Sequence, residues 1–235
     1  MRVSVIRHHE EDSAGFIAEA FEARDAEISV RLFPAEGALP ALEGVDHVIV
    51  LGAIPSVYDN GHASWIEPEL DWLRRADESG VPVLGICFGA QALCVAFGGR
   101  VGPAARKEIG WTMIDSADES VIPAGPWLQF HGDRCEPPAN ATILATNEIG
   151  VQAFAVGRHL AVQFHPEVDG AQLALWLEAG GRREIEEAGH DPDAILAMTV
   201  AEEPAARTRA DRLVAAALRL AKTASPASPP PSKVG

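Results

Sequence analysis

The sequence predicts an α/β fold, a three-layer sandwich with a mostly parallel central sheet and a small antiparallel section. Three observations predict it. Continuous apolar runs at Val48–Leu51 and Val81–Ile86 suit strands buried on both faces. Segments with helical spacing alternate with such runs through the first half of the chain. Two β-type runs, Val151–Val156 and His159–Gln163, are separated only by Gly157-Arg158, and glycine at the first central position suits a type II′ hairpin.

In chain order, Val3–Ile6 is a short β-type run that opens the sheet. Residues 13–25 read as a helix, with Phe16, Ile17, Ala20 and Phe21 on one face. Ile28–Phe33 is the second strand, ended by Pro34. Val45–Leu51 holds the third, and Gly52–Gly61 is a loop. Ser64 and Glu67 have capping-box spacing, so the next helix is expected to start at Ser64 and to end at Gly80. Its apolar face is Ile66, Leu70 and Leu73. Val81, Val83, Leu84 and Ile86 make the next strand, which runs straight into Cys87 and a helix over about Gly89–Phe97. Beyond Ala171 the pattern is helical, broken at Gly180-Gly181 and Pro192, with a last helix expected over about residues 205–222. Residues 1–222 are read as one domain. Residues 223–235, rich in Pro and Ser, cannot build a core and are expected to be disordered.

With 47% apolar residues in 235, a sizeable core is available. A formal net charge of -15 excludes nucleic acid and anionic membrane as main partners, because both demand a basic surface. No apolar stretch is long enough to span a bilayer. The three cysteines, Cys87, Cys94 and Cys135, match no disulfide framework or zinc ribbon. Free thiols fit a reducing compartment, and the opening apolar run is too short for a signal peptide, so a cytoplasmic protein is expected. No cofactor or metal is expected.

The chemistry concentrates in Gly85-Ile86-Cys87-Phe88-Gly89. A sharp turn between a buried strand and a helix lifts a side chain out of the sheet and sets it at the positive end of the helix dipole. That position favours a thiolate, the nucleophilic form of cysteine. Cys94 lies between Leu93 and Val95 and reads as a packing thiol, and Cys135 is expected in a polar loop with no evident partner. A thiol nucleophile needs a base, and the base needs a group that holds its tautomer. Gln163-Phe164-His165-Pro166-Glu167 supplies both. Pro166 forces an extended or turn-like conformation, and in extended chain residues two apart point the same way, so Glu167 could reach the His165 ring. His8, His9, His47, His62, His159 and His190 belong to no comparable constellation in the sequence.

These segments resemble the class I, triad-type glutamine amidotransferases. Val83–Gln91 is similar to their nucleophile segment, Phe97–Val101 to the glycine turn that follows, and Gln163–Glu167 to their base segment. Gly52–Asp59 resembles the oxyanion loop of the GMP synthetase branch, and His131-Gly132-Asp133 a substrate loop there. The resemblance implies a flavodoxin-like sandwich and the cleavage of glutamine or another γ-glutamyl compound. Cys87, His165 and Glu167 would be catalytic. The backbone N–H groups of Ala53 and Phe88 would form the oxyanion hole. Gly52, Gln91, Phe130, His131, Gly132 and Asp133 would bind substrate.

The family usually has two glycines and a proline in the oxyanion loop, whereas this chain reads Gly52-Ala53-Ile54-Pro55. Alanine tolerates positive φ poorly, so a strained hole that needs a partner or substrate to form is expected if that position is left-handed. Nothing past Ala171 resembles a nucleotide-binding glycine loop. Three readings stay open at this level: an ammonia supplier for a separate synthetase, a stand-alone γ-glutamyl hydrolase, and a non-catalytic regulatory module of the same fold.

Overall fold

A computed structural model describes residues 1–223. Five parallel strands form one half of the sheet: β1 (Arg2–Arg7), β2 (Glu27–Leu32), β3 (His47–Val50), β4 (Val83–Ile86) and β10 (His159–Val162). The remaining strands are β5 (Arg100–Met113), β6 (Asp115–Ser116), β7 (Pro126–Glu136), β8 (Thr142–Thr146) and β9 (Val151–Val156). The order across the sheet is β2-β1-β3-β4-β10-β9-β7-β5, with β8 pairing β9 and β6. The sheet turns antiparallel at β9, through the hairpin foreseen at Gly157, which takes φ 55° while Arg158 keeps negative φ.

Alternation along the strands splits the core in two. Val3, Val5, Ile49, Leu84, Ile86 and Val162 face helices α1 (Gly15–Glu22) and α6 (Pro192–Thr223). Ile6, Val48, Val50, Val83 and Ala161 face α2 (Ala63–Glu78) and α3 (Phe88–Ala96). The result is the expected three-layer sandwich. A third, smaller cluster joins Ile109 and Leu128 of the antiparallel section to Leu173 of α4 (Gly170–Trp176) and Ile185 of α5 (Arg182–Glu187). Among the described residues, no helix is long and apolar enough to cross a membrane.

Several local expectations are corrected. Ser64 does not cap α2, because Asp59 accepts the Gly61 N–H at 2.8 Å and starts a 3-10 turn that leads into the helix at Ala63. Cys135 does not sit in a polar loop: it is buried in β7. That strand and β5 form a long hairpin that alternation does not reveal. Gly102-Pro103 and the charged run Arg106-Lys107-Glu108 interrupt the apolar pattern where the register shifts. Pro103 is tolerated because β5 is an edge strand. The helix expected near 205–222 is the second half of α6. Asp191 accepts the Asp193 and Ala194 N–H groups, and Pro192 takes the first helical position, where an N–H is dispensable. The expected tail lies outside the described residues except for Thr223, which ends α6.

Helix α3 packs tightly on the sheet at Gly89, where a Cβ would lie 2.2 Å from the Val50 carbonyl oxygen. Gly89→Ala is therefore expected to destabilise the fold by about 2–3 kcal/mol. Gly102→Ala, whose Cβ would meet nothing within 4 Å, should cost less than about 0.5 kcal/mol. Urea unfolding of both variants checks this, and equal midpoints would contradict it.

Candidate active site

Strand β4 ends at Ile86 and α3 begins at Phe88, so Cys87 alone makes the turn. Its backbone is at φ 52°, ψ -106°, a conformation that L-residues with side chains rarely adopt. Hydrogen bonds hold it there: the Cys87 N–H donates to the Val162 carbonyl at 2.9 Å, and the Cys87 carbonyl accepts the Gln91 N–H at 3.0 Å. Both flanking glycines are required by contact. A Cβ on Gly85 would lie 2.5 Å from the Gly89 carbonyl oxygen, and one on Gly89 would strike Val50. The thiol thus sits at the N-terminus of α3, where the unpaired N–H groups favour negative charge.

His165 follows β10 and is pinned to β7 by its N–H, which donates to the Leu128 carbonyl at 2.8 Å. Its Nδ1 lies 2.7 Å from Glu167 Oε1, and both side chains are buried. The carboxylate accepts a hydrogen bond from Nδ1–H, which leaves Nε2 for chemistry. Burial alone would lower the His165 pKa, but Glu167 and the adjacent Cys87 outweigh it and raise it well above the usual imidazole range. Glu167 is itself anchored, since its carbonyl accepts the Phe16 N–H at 3.0 Å from the start of α1.

The stretch after Ala171 has a part in the site that the sequence did not reveal. Trp176 of α4 sets its ring edge-on to His165, centroids 5.0 Å apart, and its Nε1–H donates to Asp12 Oδ1 at 3.0 Å. Burial raises the Asp12 pKa against that hydrogen bond. Only the three-dimensional return of α4 to the face that carries His165 brings these groups together.

Gly52 lies directly against the cysteine and histidine. A Cβ there would be 3.3 Å from His165 Cε1 and 3.8 Å from Cys87 Cβ, so a side chain would occupy the space between the loop and the thiol. Ala53 does not take positive φ, and the strain expected from its replacing glycine is absent. The loop is tied down farther along: Ser56 and Tyr58 donate to the two carboxylate oxygens of Asp133 at 2.6 and 2.7 Å. Asp133 therefore acts as a clamp on the loop.

The other expected binding residues differ in how free they are. The Gln91 amide is buried one turn into α3 and donates to Gln163 Oε1 at 3.4 Å. Phe130 packs its ring against Trp176 at 5.8 Å, and Gly132 stands beside Lys107. The His131 side chain is committed elsewhere, between Gln129 Oε1 and Glu108 Oε2, both at 3.1 Å. Of the other thiols, Cys94 donates to the Arg100 and Glu136 carbonyls, and Cys135 approaches Gln163 Oε1 at 3.8 Å. The Cys135 pKa is raised well above its ordinary value by the hydrogen bond with Cys94 and by burial, which opposes reactivity.

His8, which no sequence pattern singled out, is buried behind the loop. Its Nδ1 is 2.8 Å from the Gly52 carbonyl and its Nε2 is 3.0 Å from Glu69 Oε2. His159 also finds partners away from the site, its Nδ1 accepting the Val83 N–H and its Nε2 facing Asp77. Among the described residues, no group of three or more His, Cys, Asp or Glu is placed to hold a metal ion.

A GMP synthase (glutamine-hydrolyzing) from Thermomicrobium roseum is 36% identical over 157 residues, 63% of this chain and 29% of that protein. The enzyme of the same name from Brucella melitensis biotype 1 is 31% identical over 172 residues, 66% of this chain and 32% of its own length. The chain thus spans about a third of the length of these curated relatives. Among solved structures, a glutamine amidotransferase from Thermotoga maritima superposes with a TM-score of 0.85 at 26% identity, covering 95% of this chain and 99% of that one. One from Methylobacillus flagellatus shares the fold at a TM-score of 0.84 and 20% identity, over 93% and 94% of the two chains. Residues 14–174, which carry Cys87, His165 and Glu167, match the family described as glutamine amidotransferase class-I, and the chain belongs to that family.

Proposed function

We propose that this chain hydrolyses the side-chain amide of glutamine through a γ-glutamyl thioester on Cys87 and delivers the ammonia to a separate acceptor enzyme. The observation that carries the reading is the convergence of three groups. A cysteine sits on a turn at a helix N-terminus, and a buried histidine beside it has its Nδ1 locked by a carboxylate at 2.7 Å. The Cys87 thiolate attacks the amide carbon and forms the C–S bond. His165 gives its proton to the leaving nitrogen as the C–N bond breaks, so ammonia departs. A water then loses a proton to His165 and attacks the thioester, which releases glutamate and returns the thiol. Each attack builds negative charge on the carbonyl oxygen, and donors fixed in advance at that point lower the barrier. The Phe88 N–H, next after the nucleophile, and the Ala53 N–H, next after Gly52, are the proposed donors. The names of the Thermomicrobium and Brucella relatives state glutamine hydrolysis, which supports the substrate, and the length of those proteins beyond the matched region supports a distinct acceptor.

Cys87→Ala is expected to reduce glutamine hydrolysis by roughly four orders of magnitude or more, because covalent chemistry is lost outright. Cys94→Ala and Cys135→Ala should keep most of the turnover of the protein that remains folded. Ammonia release measured on the purified variants checks this. Near-normal turnover by a folded Cys87→Ala protein would refute the nucleophile. A panel of γ-glutamyl peptides in the same assay tests the stand-alone hydrolase reading, which preference for them over glutamine would favour.

The Glu167 carboxylate holds His165 protonated to higher pH, opposing burial. A contribution from a raised pKa is present below it and is lost as pH rises through it. Glu167→Gln should therefore move the alkaline limb of kcat/KM to lower pH. It should also lower kcat about 10²-fold less than His165→Ala does. An alkaline limb that stays in place would show that Glu167 does not set the charge of the base.

A further inference from the structure

We propose that His8, held by Glu69, is a positioning residue that fixes the Gly52–Ala53 peptide so that the Ala53 N–H is turned toward the reacting carbonyl. This rests on the proposed oxyanion role of Ala53. The argument starts from the planar trans peptide unit, in which the carbonyl of one residue and the N–H of the next point in opposite directions. Whatever holds the Gly52 carbonyl therefore sets the direction of the Ala53 N–H. The His8 Nδ1 holds that carbonyl at 2.8 Å, with its ring backed by Glu69 of α2. On the other side of the same loop, Gly52 abuts Cys87 and His165. The hydrogen bonds of the described residues leave the Ala53 N–H without a protein acceptor.

The ring is built to donate. Both nitrogens face acceptors, the Gly52 carbonyl and the Glu69 carboxylate, and only the imidazolium satisfies both as a donor. Burial opposes the charge, but Glu69, the Gly52 carbonyl and Asp12 outweigh it and raise the His8 pKa. Glu69 has no solvent exposure, so His8 is also the counter-charge that keeps this buried carboxylate paired. Trp65 and Phe88 wall the ring at centroid distances of 5.3 and 4.9 Å and leave it no other place to turn. A flipped peptide would aim the Ala53 N–H at a cation and strip His8 of its acceptor. The loop is thus held in one of its two arrangements before substrate arrives. Alanine can replace the family's glycine because the orientation is enforced from behind and Ala53 avoids positive φ.

Two polar substitutions separate this role from simple structural support. Asparagine at position 8 carries its amide nitrogen about where Nδ1 sits, and glutamine about where Nε2 sits. His8→Asn keeps a donor for Gly52, and His8→Gln keeps a donor for Glu69 but loses the one for Gly52. His8→Gln is expected to lose roughly 10²–10³-fold in kcat, the cost of one missing oxyanion donor, with KM for glutamine within about threefold of normal. His8→Asn should keep kcat within about tenfold, although it leaves the buried Glu69 poorly paired and should melt lower. Alkylation of Cys87 by iodoacetamide, a displacement that builds no oxyanion, should proceed at the wild-type rate in both variants. A structural role predicts the reverse order, with the Glu69-satisfying glutamine the better variant. That order, equal losses in both, or a matching fall in alkylation rate would overturn the inference while leaving Cys87-dependent turnover intact. Glutamine turnover by the wild type that does not depend on Cys87 would overturn the parent reading and this inference with it.

Discussion

The turn that carries Cys87 exists because two neighbouring positions lack a side chain. Gly89 lets the first turn of α3 lie on the Val50 carbonyl, and Gly85 lets β4 pass under the Gly89 carbonyl. With the helix and sheet that close, the chain must reverse within one residue, and Cys87 takes positive φ as a consequence. Backbone strain of this kind costs on the order of 1–3 kcal/mol and persists only where surrounding contacts over-determine it. Here they do. β4 is hydrogen-bonded on both edges, to β3 and β10, and the Cys87 N–H is drawn to Val162 at the end of β10.

The other elements of the proposed site are placed relative to that turn by the same sheet. β10 is the neighbour of β4, so the chain leaving it delivers His165 next to the cysteine. β7 fixes the His165 backbone from one side, and α1 fixes the Glu167 carbonyl from another. β3 lies on the other edge of β4 and delivers Gly52. Three adjacent parallel strands therefore present Gly52, Cys87 and His165 at their carboxyl ends, the edge at which open α/β sheets bind ligands. The polar groups that support them come from farther off in sequence. His8 and Glu69 stand behind the loop, Asp133 clamps Ser56 and Tyr58, and Asp12 and Trp176 close over the histidine.

What could be read from the sequence follows from the range over which each signal acts. The parallel strands announce themselves because burial on both faces leaves continuous apolar runs, and the Gly-x-Cys-x-Gly turn because its sterics are local. His165 and Glu167 are legible because Pro166 ties their geometry to two residues. The β5–β7 hairpin was missed because its charged and proline-bearing stretch lies on an exposed edge, where alternation is not enforced. His8 was missed because its meaning depends on a carboxylate 61 residues away, and Trp176 because its partner Asp12 is 164 residues away. The strain expected at Ala53 did not materialise, since no residue of the Gly52–Gly61 loop takes positive φ, which sequence alone does not state.

The central claim is that Cys87, and neither of the other buried thiols, attacks a glutamine carbonyl held in this site. The most direct measurement is the intact mass and peptide map of the protein after exposure to a glutamine analogue that carries a diazoketone in place of its side-chain amide. The account predicts a single covalent adduct on the peptide that contains Cys87, formed more slowly when free glutamine competes. An adduct on Cys94 or Cys135, or labelling of Cys87 that glutamine does not slow, would contradict it.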